Sequence, residues 1–331
     1  MHSSSAPSSD WLAGAAVLGL DVAKATVQGE LRLADGRKVG LHFANNAAGF
    51  AQLARCLAQH HATKVCVGLE ATGPYSQPLA HCLHGQGHRV SLLNPRRVKD
   101  YARSAGARNK TDALDAGLIA DFMLAHQPSA WTPPTPAVAQ LRALVRRREQ
   151  LSLLLQGEKN RLEGVDASVR ASIQRLVAAL ASEKARLEKL ITQQIRADRA
   201  LARHHELLTT INGIGALTAA ILLAEMAGPD QVQRARQAAA HAGLAPRREE
   251  SGTSVRRRKG LGNEGNRHLR KALYMPALVA IKYNPPLRAF AQRLSAAGKP
   301  KMAIVCAVMR KLIHVAFGVL KHQQPFNPSL A

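Results

Sequence analysis

The residue pattern changes character near Val138, and that change divides what the chain can fold into. Upstream, short apolar runs recur at AVLGLD (16–21), TVQGELRLA (26–34), VGLHFA (39–44), KVCVGLE (64–70) and RVSLLN (89–94), with helical stretches over about 47–59 and 76–86. Strands first, then strands alternating with helices, predict an α/β domain with a mixed sheet. Downstream, Leu141, Leu144, Leu151, Leu155 and Leu162 fall at coiled-coil spacing, with Arg148 and Glu158 as polar interruptions. Val169, Ile173, Leu176, Leu180, Leu187 and Leu190 repeat the pattern after Gly164 and Asp166. Two such runs around a turn predict an antiparallel helical hairpin, either a solvated spacer or an oligomerisation arm. Further helices are expected at about 206–227, 231–242, 264–282, 285–296 and 300–321, with a basic, Gly-containing loop at 245–263.

This gives four regions: a disordered start over 1–14, an α/β domain over 15–130, a helical coiled-coil linker over 131–205 and a mainly helical domain over 206–325. A chain of 331 residues fits two or three domains. Its formal net charge of +24 implies a polyanionic partner, most simply nucleic acid. The surplus is graded. Residues 1–130 carry 13 basic and 9 acidic side chains (+4), residues 131–205 carry 14 and 7 (+7), and residues 206–331 carry 19 and 6 (+13). The last third is therefore the expected main nucleic-acid surface. An aromatic content of 4% argues against base stacking as the mode of recognition. The four cysteines, Cys56, Cys66, Cys82 and Cys306, form no C-x-x-C pair, so a zinc site or disulfide framework is not expected and the chain reads as cytoplasmic. No apolar run of about 18 residues is read from the sequence, and no membrane partner is expected.

Acidic residues are scarce, so their positions carry information. Asp21 ends the first strand and Glu70 the fourth, and carboxylates at the ends of buried strands commonly meet at one sheet edge. In NKTDALDAGLIADFM, Asp112 and Asp115 are three apart at a helix start and project from one face. The bland reading is a capping pair, with Asp112 as N-cap answered by Asp115. Asp21 reads equally as a turn acid, and Glu70 as a cap for the next helix. All four together suit hard divalent cations of the kind that clamp attacking and leaving oxygens in phosphoryl transfer.

Two further segments carry chemistry. Gly213-Ile214-Gly215 lies between apolar helical runs, the pattern of a helix-hairpin-helix whose turn offers backbone N–H groups to a phosphate; an ordinary Gly-terminated helix is the alternative. In GLAPRREESGTSVRRRKGLGNEGNRHLRKALYMPAL, Arg247, Arg248, Arg256, Arg257, Arg258 and Lys259 surround Ser251, and Arg267, Arg270 and Lys271 open the following helix. These arginines can hold phosphates bidentately. A serine here is a hydrogen-bond donor to a phosphate or a nucleophile, and spacing alone favours the donor, since His241 and His268 lie outside the cluster. Chemistry alone does not separate Ser251, Thr253 and Ser254.

The motifs GLDVAK (19–24), GLEATGPY (68–75), SLLNPRRVKDYARSAGARNKTDALDA (91–116), INGIGALTAAILL (211–223) and the serine segment (243–277) together resemble the bacterial insertion-sequence-110 family of DEDD-type transposases, over nearly the whole chain. The resemblance implies a ribonuclease H-like N-terminal domain akin to Holliday-junction resolvases, with Asp21, Glu70, Asp112 and Asp115 as the catalytic metal-binding tetrad for Mg²⁺ or Mn²⁺. It implies a C-terminal transposase domain whose nucleophile is Ser251, reversing the preference from spacing. It further implies a phosphoserine–DNA intermediate, a site in which tetrad and serine cooperate across subunits, a dimer or tetramer, and a structured bridge RNA pairing with donor and target DNA. Asn212, where the family often has proline, and KGLGNEGN after Arg258 depart from its pattern. Two alternatives stand beside this reading: a resolvase-like metal nuclease without a covalent intermediate, and a non-catalytic nucleic-acid scaffold.

Overall fold

A computed structural model describes residues 15–71, 73–104, 112–226, 232–251, 255–262 and 265–330; the side chains at 112–114, 247–251, 255–260 and 330 fall outside that description. The expected disordered start, Thr253 and Ser254 also lie outside the described residues. The chain divides into two compact units that meet between Pro133 and Pro134.

The first unit is built on a five-stranded mixed sheet in the order β3-β2-β1-β4-β5. Its strands are β1 (Ala16–Val22), β2 (Thr26–Arg32), β3 (Lys38–Ala44), β4 (Val65–Glu70) and β5 (Arg89–Leu93). Strands β1, β2 and β3 pair antiparallel, whereas β4 runs parallel to β1 and β5 parallel to β4. The central strands are apolar at nearly every position, as strands covered on both faces must be. One face packs Leu18, Leu20, Val67 and Leu69 under α1 (Ala47–Gln59) and α2 (Gln77–Gly85). The other packs Val17 and Cys66 against Ile119, Ala120 and Met123 of α4 (Asp112–His126) and Val98 of α3 (Pro95–Ser104). The sequence pattern does not reveal α3, because its four cations hide a single buried position, Val98.

Helix α4 lies directly on the strands because two of their inward positions are glycines. A Cβ on Gly19 would stand 2.2 Å from the Ala116 carbonyl oxygen and 2.6 Å from the Ala120 nitrogen, and one on Gly68 would stand 2.6 Å from Met123 Cγ. Only a residue without a side chain admits a helix backbone this close.

The second unit is almost entirely helical. Helices α5 (Pro136–Arg161) and α6 (Ala167–Ala197) form the expected antiparallel hairpin around Gly164, which has a φ of +71°. Its seam is buried at Leu141, Val145, Leu151, Leu187, Ile191 and Ile195, while Leu153, Leu154, Val169 and Leu176 are exposed. Two helices alone cannot enclose a seam along their full length, so the apolar spacing overstates burial toward the turn. Arg148, which interrupts the leucine pattern, bridges to Glu188 on α6 at 2.8 Å. The rest of the unit comprises α7 (Arg199–Thr209), α8 (Ala216–Glu225), α9 (Ala235–His241), α10 (Arg267–Tyr283), α11 (Pro285–Ala296) and α12 (Lys301–His322). These share one core with the base of the α5–α6 hairpin.

Two expectations are corrected. The 245–263 segment is not simply a loop: β6 (Pro246–Ser251) and β7 (Val255–Leu261) pair as an antiparallel hairpin. An apolar segment of membrane-spanning length does exist in α12, with mean hydropathy 1.9. Its charged Arg310 and Lys311 mask it in a scan for uninterrupted runs, and Val308, Leu312, Ile313, Ala316 and Phe317 are buried in the helical core.

Because the Gly19 contact is made with helix backbone, Gly19→Ala must push α4 off the sheet. The expected cost is about 1–3 kcal/mol, in the range of overpacked cores. Urea unfolding of the full chain checks this, and an unchanged midpoint would show that α4 can retreat without penalty.

Candidate active site and nucleic-acid surfaces

The parallel register places Leu20 beside Leu69, so Asp21 and Glu70 are the next residues on adjacent strands. Strand spacing sets their backbones about 4.8 Å apart. Side chains alternate along a strand, so Val17, Gly19 and Asp21 share a face, as do Cys66, Gly68 and Glu70. That face is the one α4 covers. Both carboxylates thus project to the α4 side at the C-terminal end of the central strands, and each is half-buried.

Helix α4 runs antiparallel to β1. Ala116 and Ala120 cross Gly19, so the helix start, with Asp115 and Asp112, extends toward Asp21. Glu30 and Asp121 hold Arg32, whose Nη2 also donates to the Gly117 carbonyl at 3.0 Å. This clamp ties β2 to α4 and fixes the helix lengthwise. Asn45 secures the loops that follow β1 and β4, its Nδ2 donating to the Ala23 carbonyl at 2.9 Å and the Tyr75 carbonyl at 3.1 Å. The Asp115 side chain is half-buried, while the Asp112 side chain lies outside the described residues. Among the described residues no three His, Cys, Asp or Glu side chains stand close enough to share one ion. Magnesium commonly takes only one or two protein carboxylates and completes its shell with water and phosphate oxygens, so the donor chemistry still suits it.

In the second unit, Ser251 closes β6 at the turn of the β6–β7 hairpin, in register with Val255. Arg247 lies opposite Lys259 and Arg248 opposite Arg258; their side chains, with those of Arg256, Arg257 and Ser251, fall outside the described residues. Glu249 lies opposite Arg257 and Glu250 opposite Arg256, so two like-charged and two opposite-charged pairs leave a net surplus of cations. Such a hairpin is electrostatically suited to a polyanion. Arg267 is exposed at the start of α10. Arg270 instead spans the hairpin base, donating to the Gly243 and Gly262 carbonyls at 3.3 and 3.1 Å.

Gly213 has a φ of +109°, and its backbone lies against α10, where a Cβ would meet the Pro276 carbonyl oxygen at 2.9 Å. The fully buried Asn284 donates to the Asn212 carbonyl at 3.1 Å, pinning the same turn. Gly215 caps α8 and is exposed. A cavity of about 600 Å³ lies instead between α6, α7 and the start of α8. Glu188, Glu206 and Arg196 line it with Ile191, Ile195 and Leu217, and no predicted site residue does.

Sequence reasoning missed the polar anchor beneath the serine hairpin. Glu225, at the end of an otherwise apolar helix, has a side chain only 1% exposed and takes a bidentate pair from Arg146 at 2.6 and 3.0 Å. Asn266 Nδ2 donates to the same carboxylate at 2.8 Å, and the Arg142 Nε donates to the Ala224 carbonyl at 2.6 Å. Both histidines flanking the serine segment serve this scaffold: His241 Nε2 lies 3.1 Å from the Glu225 carbonyl oxygen, and His268 Nδ1 lies 2.5 Å from Glu149. The signal was present in LLAEM, where one acid ends a run of apolar residues.

Burial alone would raise the Glu225 pKa, but the hydrogen bonds from Arg146 and Asn266 and the charges of Arg146 and Arg142 outweigh it and hold the carboxyl below its ordinary value. A depressed carboxyl stabilises the fold fully above the unfolded value of about 4.3 and loses that contribution as pH falls through the lower folded value. Arg146→Ala leaves the carboxylate buried without its main partner. The expected cost at pH 7 is toward the lower end of roughly 3–5 kcal/mol, since Arg146 is itself half-exposed. The difference from wild type should narrow in acid, and thermal unfolding from pH 7 to 3 checks both parts.

Carboxylates at the ends of the central strands and a strongly basic helical unit lie in one chain whose relatives are transposases. Residues 18–165 match the DEDD-type IS110 family described as Transposase, and residues 205–292 match the Transposase IS116/IS110/IS902 family. The pilin gene-inverting proteins of Moraxella bovis and Moraxella lacunata are 34% and 33% identical over 313 residues, spanning 94% of this chain and 97% of each relative. The transposase for insertion sequence element IS1111A of Coxiella burnetii is 27% identical over 247 residues, 66% of each chain. This chain belongs to the IS110 family of insertion-sequence transposases and is a recombinase enzyme.

Proposed function

We propose that this chain cuts and rejoins DNA through a phosphoserine intermediate formed by Ser251, under the guidance of a bridge RNA, with Mg²⁺ or Mn²⁺ held by Asp21, Glu70, Asp112 and Asp115. The observation that carries the reading is the shared face of Asp21 and Glu70 at the ends of adjacent parallel strands, under the helix that bears Asp112 and Asp115. The strand order β3-β2-β1-β4-β5, antiparallel then parallel, supports a ribonuclease H-like fold for this unit. A divalent cation, when bound, supplies charge neutralisation at the scissile phosphate.

The Ser251 hydroxyl attacks phosphorus as the bond to the leaving sugar oxygen breaks. Its proton passes to solvent, and the leaving oxygen is protonated in turn. Arg256, Arg257, Arg258 and Lys259 neutralise charge that develops on the phosphate oxygens. Arg247, Arg248 and Arg267, with the backbone at Gly213 and Gly215, hold neighbouring phosphates as a helix-hairpin-helix would. Sequence choice falls to RNA–DNA pairing, so the protein needs few base contacts, in keeping with its low aromatic content. The assembly is a dimer or tetramer on donor and target DNA.

The deciding experiment incubates the purified chain with donor DNA, its element's RNA and Mg²⁺, followed by denaturing electrophoresis. A covalent protein–DNA adduct should form with wild type and vanish with Ser251→Ala. Asp115→Asn should lose at least 100-fold in adduct yield while still binding DNA, and chelation of Mg²⁺ should do the same. Cleavage that persists in Ser251→Ala would replace this reading with a metal nuclease. Full function in both variants would reduce the chain to a scaffold. RNA that co-purifies with the chain should be enriched in one structured element transcript; random cellular RNA would remove the guide.

A further inference from the structure

We infer that α3 is the surface on which the first unit receives the DNA strand, its four cations tracking the phosphodiester backbone toward Glu70. The inference rests on the proposed DNA chemistry of the carboxylates. Helix α3 carries Arg96, Arg97, Lys99 and Arg103 against one acid, Asp100, a net of +3 in ten residues. The remainder of residues 1–130 carries nine basic and eight acidic side chains, a net of +1. Nearly all the surplus of the α/β region is therefore concentrated on this one helix, whereas the charge gradient along the chain points only to the last third.

The charge runs against helix stability. Arg96 and Arg97 occupy the first turn, which holds no acid and where the helix dipole disfavours cations. Lys99 and Arg103 are four apart, a spacing at which like charges repel. Asp100 lies 3.8 Å from both Arg96 and Arg103, exposed pairings that contribute little. A bound polyanion would relieve the repulsion between Lys99 and Arg103.

Placement selects the partner. Strand β5 pairs parallel with β4, with Leu93 beside Glu70, and α3 begins two residues later. Its first turn therefore stands at the same sheet end as the carboxylates. The Asn94 side chain accepts from the Arg96 N–H at 2.9 Å and sets the helix start. The helix is fixed from beneath. Val98 is buried, and the Tyr101 ring meets Phe122 and His126 of α4 edge-on, with centroids 5.6 and 5.2 Å apart. Arg96, Lys99 and Arg103 are exposed, and Arg97, also exposed, lies with its guanidinium 5.6 Å from the Phe122 ring centroid. From Arg96 to Arg103 the helix rises about 10.5 Å, the length of about three phosphates of one strand at about 3.4 Å each. Four cations on a rigid rod of that length match a phosphate backbone better than a point-like anion.

The test compares wild type with a full-length variant carrying Arg96→Gln, Arg97→Gln, Lys99→Gln and Arg103→Gln. Fluorescence anisotropy measures binding to a 30-base-pair DNA duplex from 50 to 300 mM KCl. The logarithmic salt slope should become shallower by about 0.9 for each phosphate that the variant leaves unneutralised, or about 2–4 in all. The double variant Lys99→Gln/Arg103→Gln spares the first turn and the Arg97 stacking on Phe122. It should shift the slope by about 1–2 with an unchanged thermal midpoint. An unchanged slope in both variants overturns the inference, as does a slope that changes for the structured guide RNA and not for DNA. A wild-type chain that forms no adduct yet shows the slope change would sink the recombination chemistry and leave the α3 surface standing.

Discussion

The first unit depends on one contact, the backbone of α4 laid on Gly19. A helix normally stands off a sheet by the thickness of two side-chain layers. Here the absence of a Cβ at Gly19, and again at Gly68, removes one layer beside the strand ends that carry Asp21 and Glu70. The consequence propagates along both elements. Two residues beyond Gly19 comes Asp21, two beyond Gly68 comes Glu70, and one residue before Ala116 comes Asp115. The Arg32 clamp on Glu30 and Asp121 then holds the helix lengthwise, so depth and register are both determined.

The second unit relies on a different device. Its serine hairpin is rich in cations, with two like-charged and two opposite-charged pairs in register across its strands. The buried Glu225 carboxylate lies at its base, gathering Arg146 from α5 and Asn266 from the start of α10. The pair is hydrogen-bonded on both carboxylate oxygens, which is what makes a buried charge tolerable. The two units are thus held differently: glycine lets a helix backbone lie on the sheet in the first, and a satisfied buried ion pair joins α5, α8 and α10 in the second.

Legibility in the sequence follows the strength of local patterning. Strands β1 to β5 are readable because buried central strands leave continuous apolar runs, and the α5–α6 hairpin because leucines recur at helical spacing. Helix α3 escapes because one buried valine among four cations carries almost no periodic signal. The β6–β7 hairpin reads as a loop because arginine and glycine have no strand pattern, and cross-strand pairing is not a local property. Heptad spacing predicts a seam but not its extent, since exposure at Val169 and Leu176 depends on how many neighbours surround each side chain.

By itself the sequence determined the candidates: Asp21, Glu70, Asp112 and Asp115 at strand ends and a helix start, Ser251 among arginines, and the charge gradient along the chain. Tertiary structure alone decided which of these share a face. Parallel pairing of β1 with β4 is set by contacts between residues some fifty positions apart, and no local pattern encodes it. The same holds for the base of the serine hairpin, where Arg146 and Glu225 meet across 79 residues. A carboxylate's neighbours in the chain say only which local pattern it interrupts; packing in three dimensions says how deeply it is buried and which charge it faces.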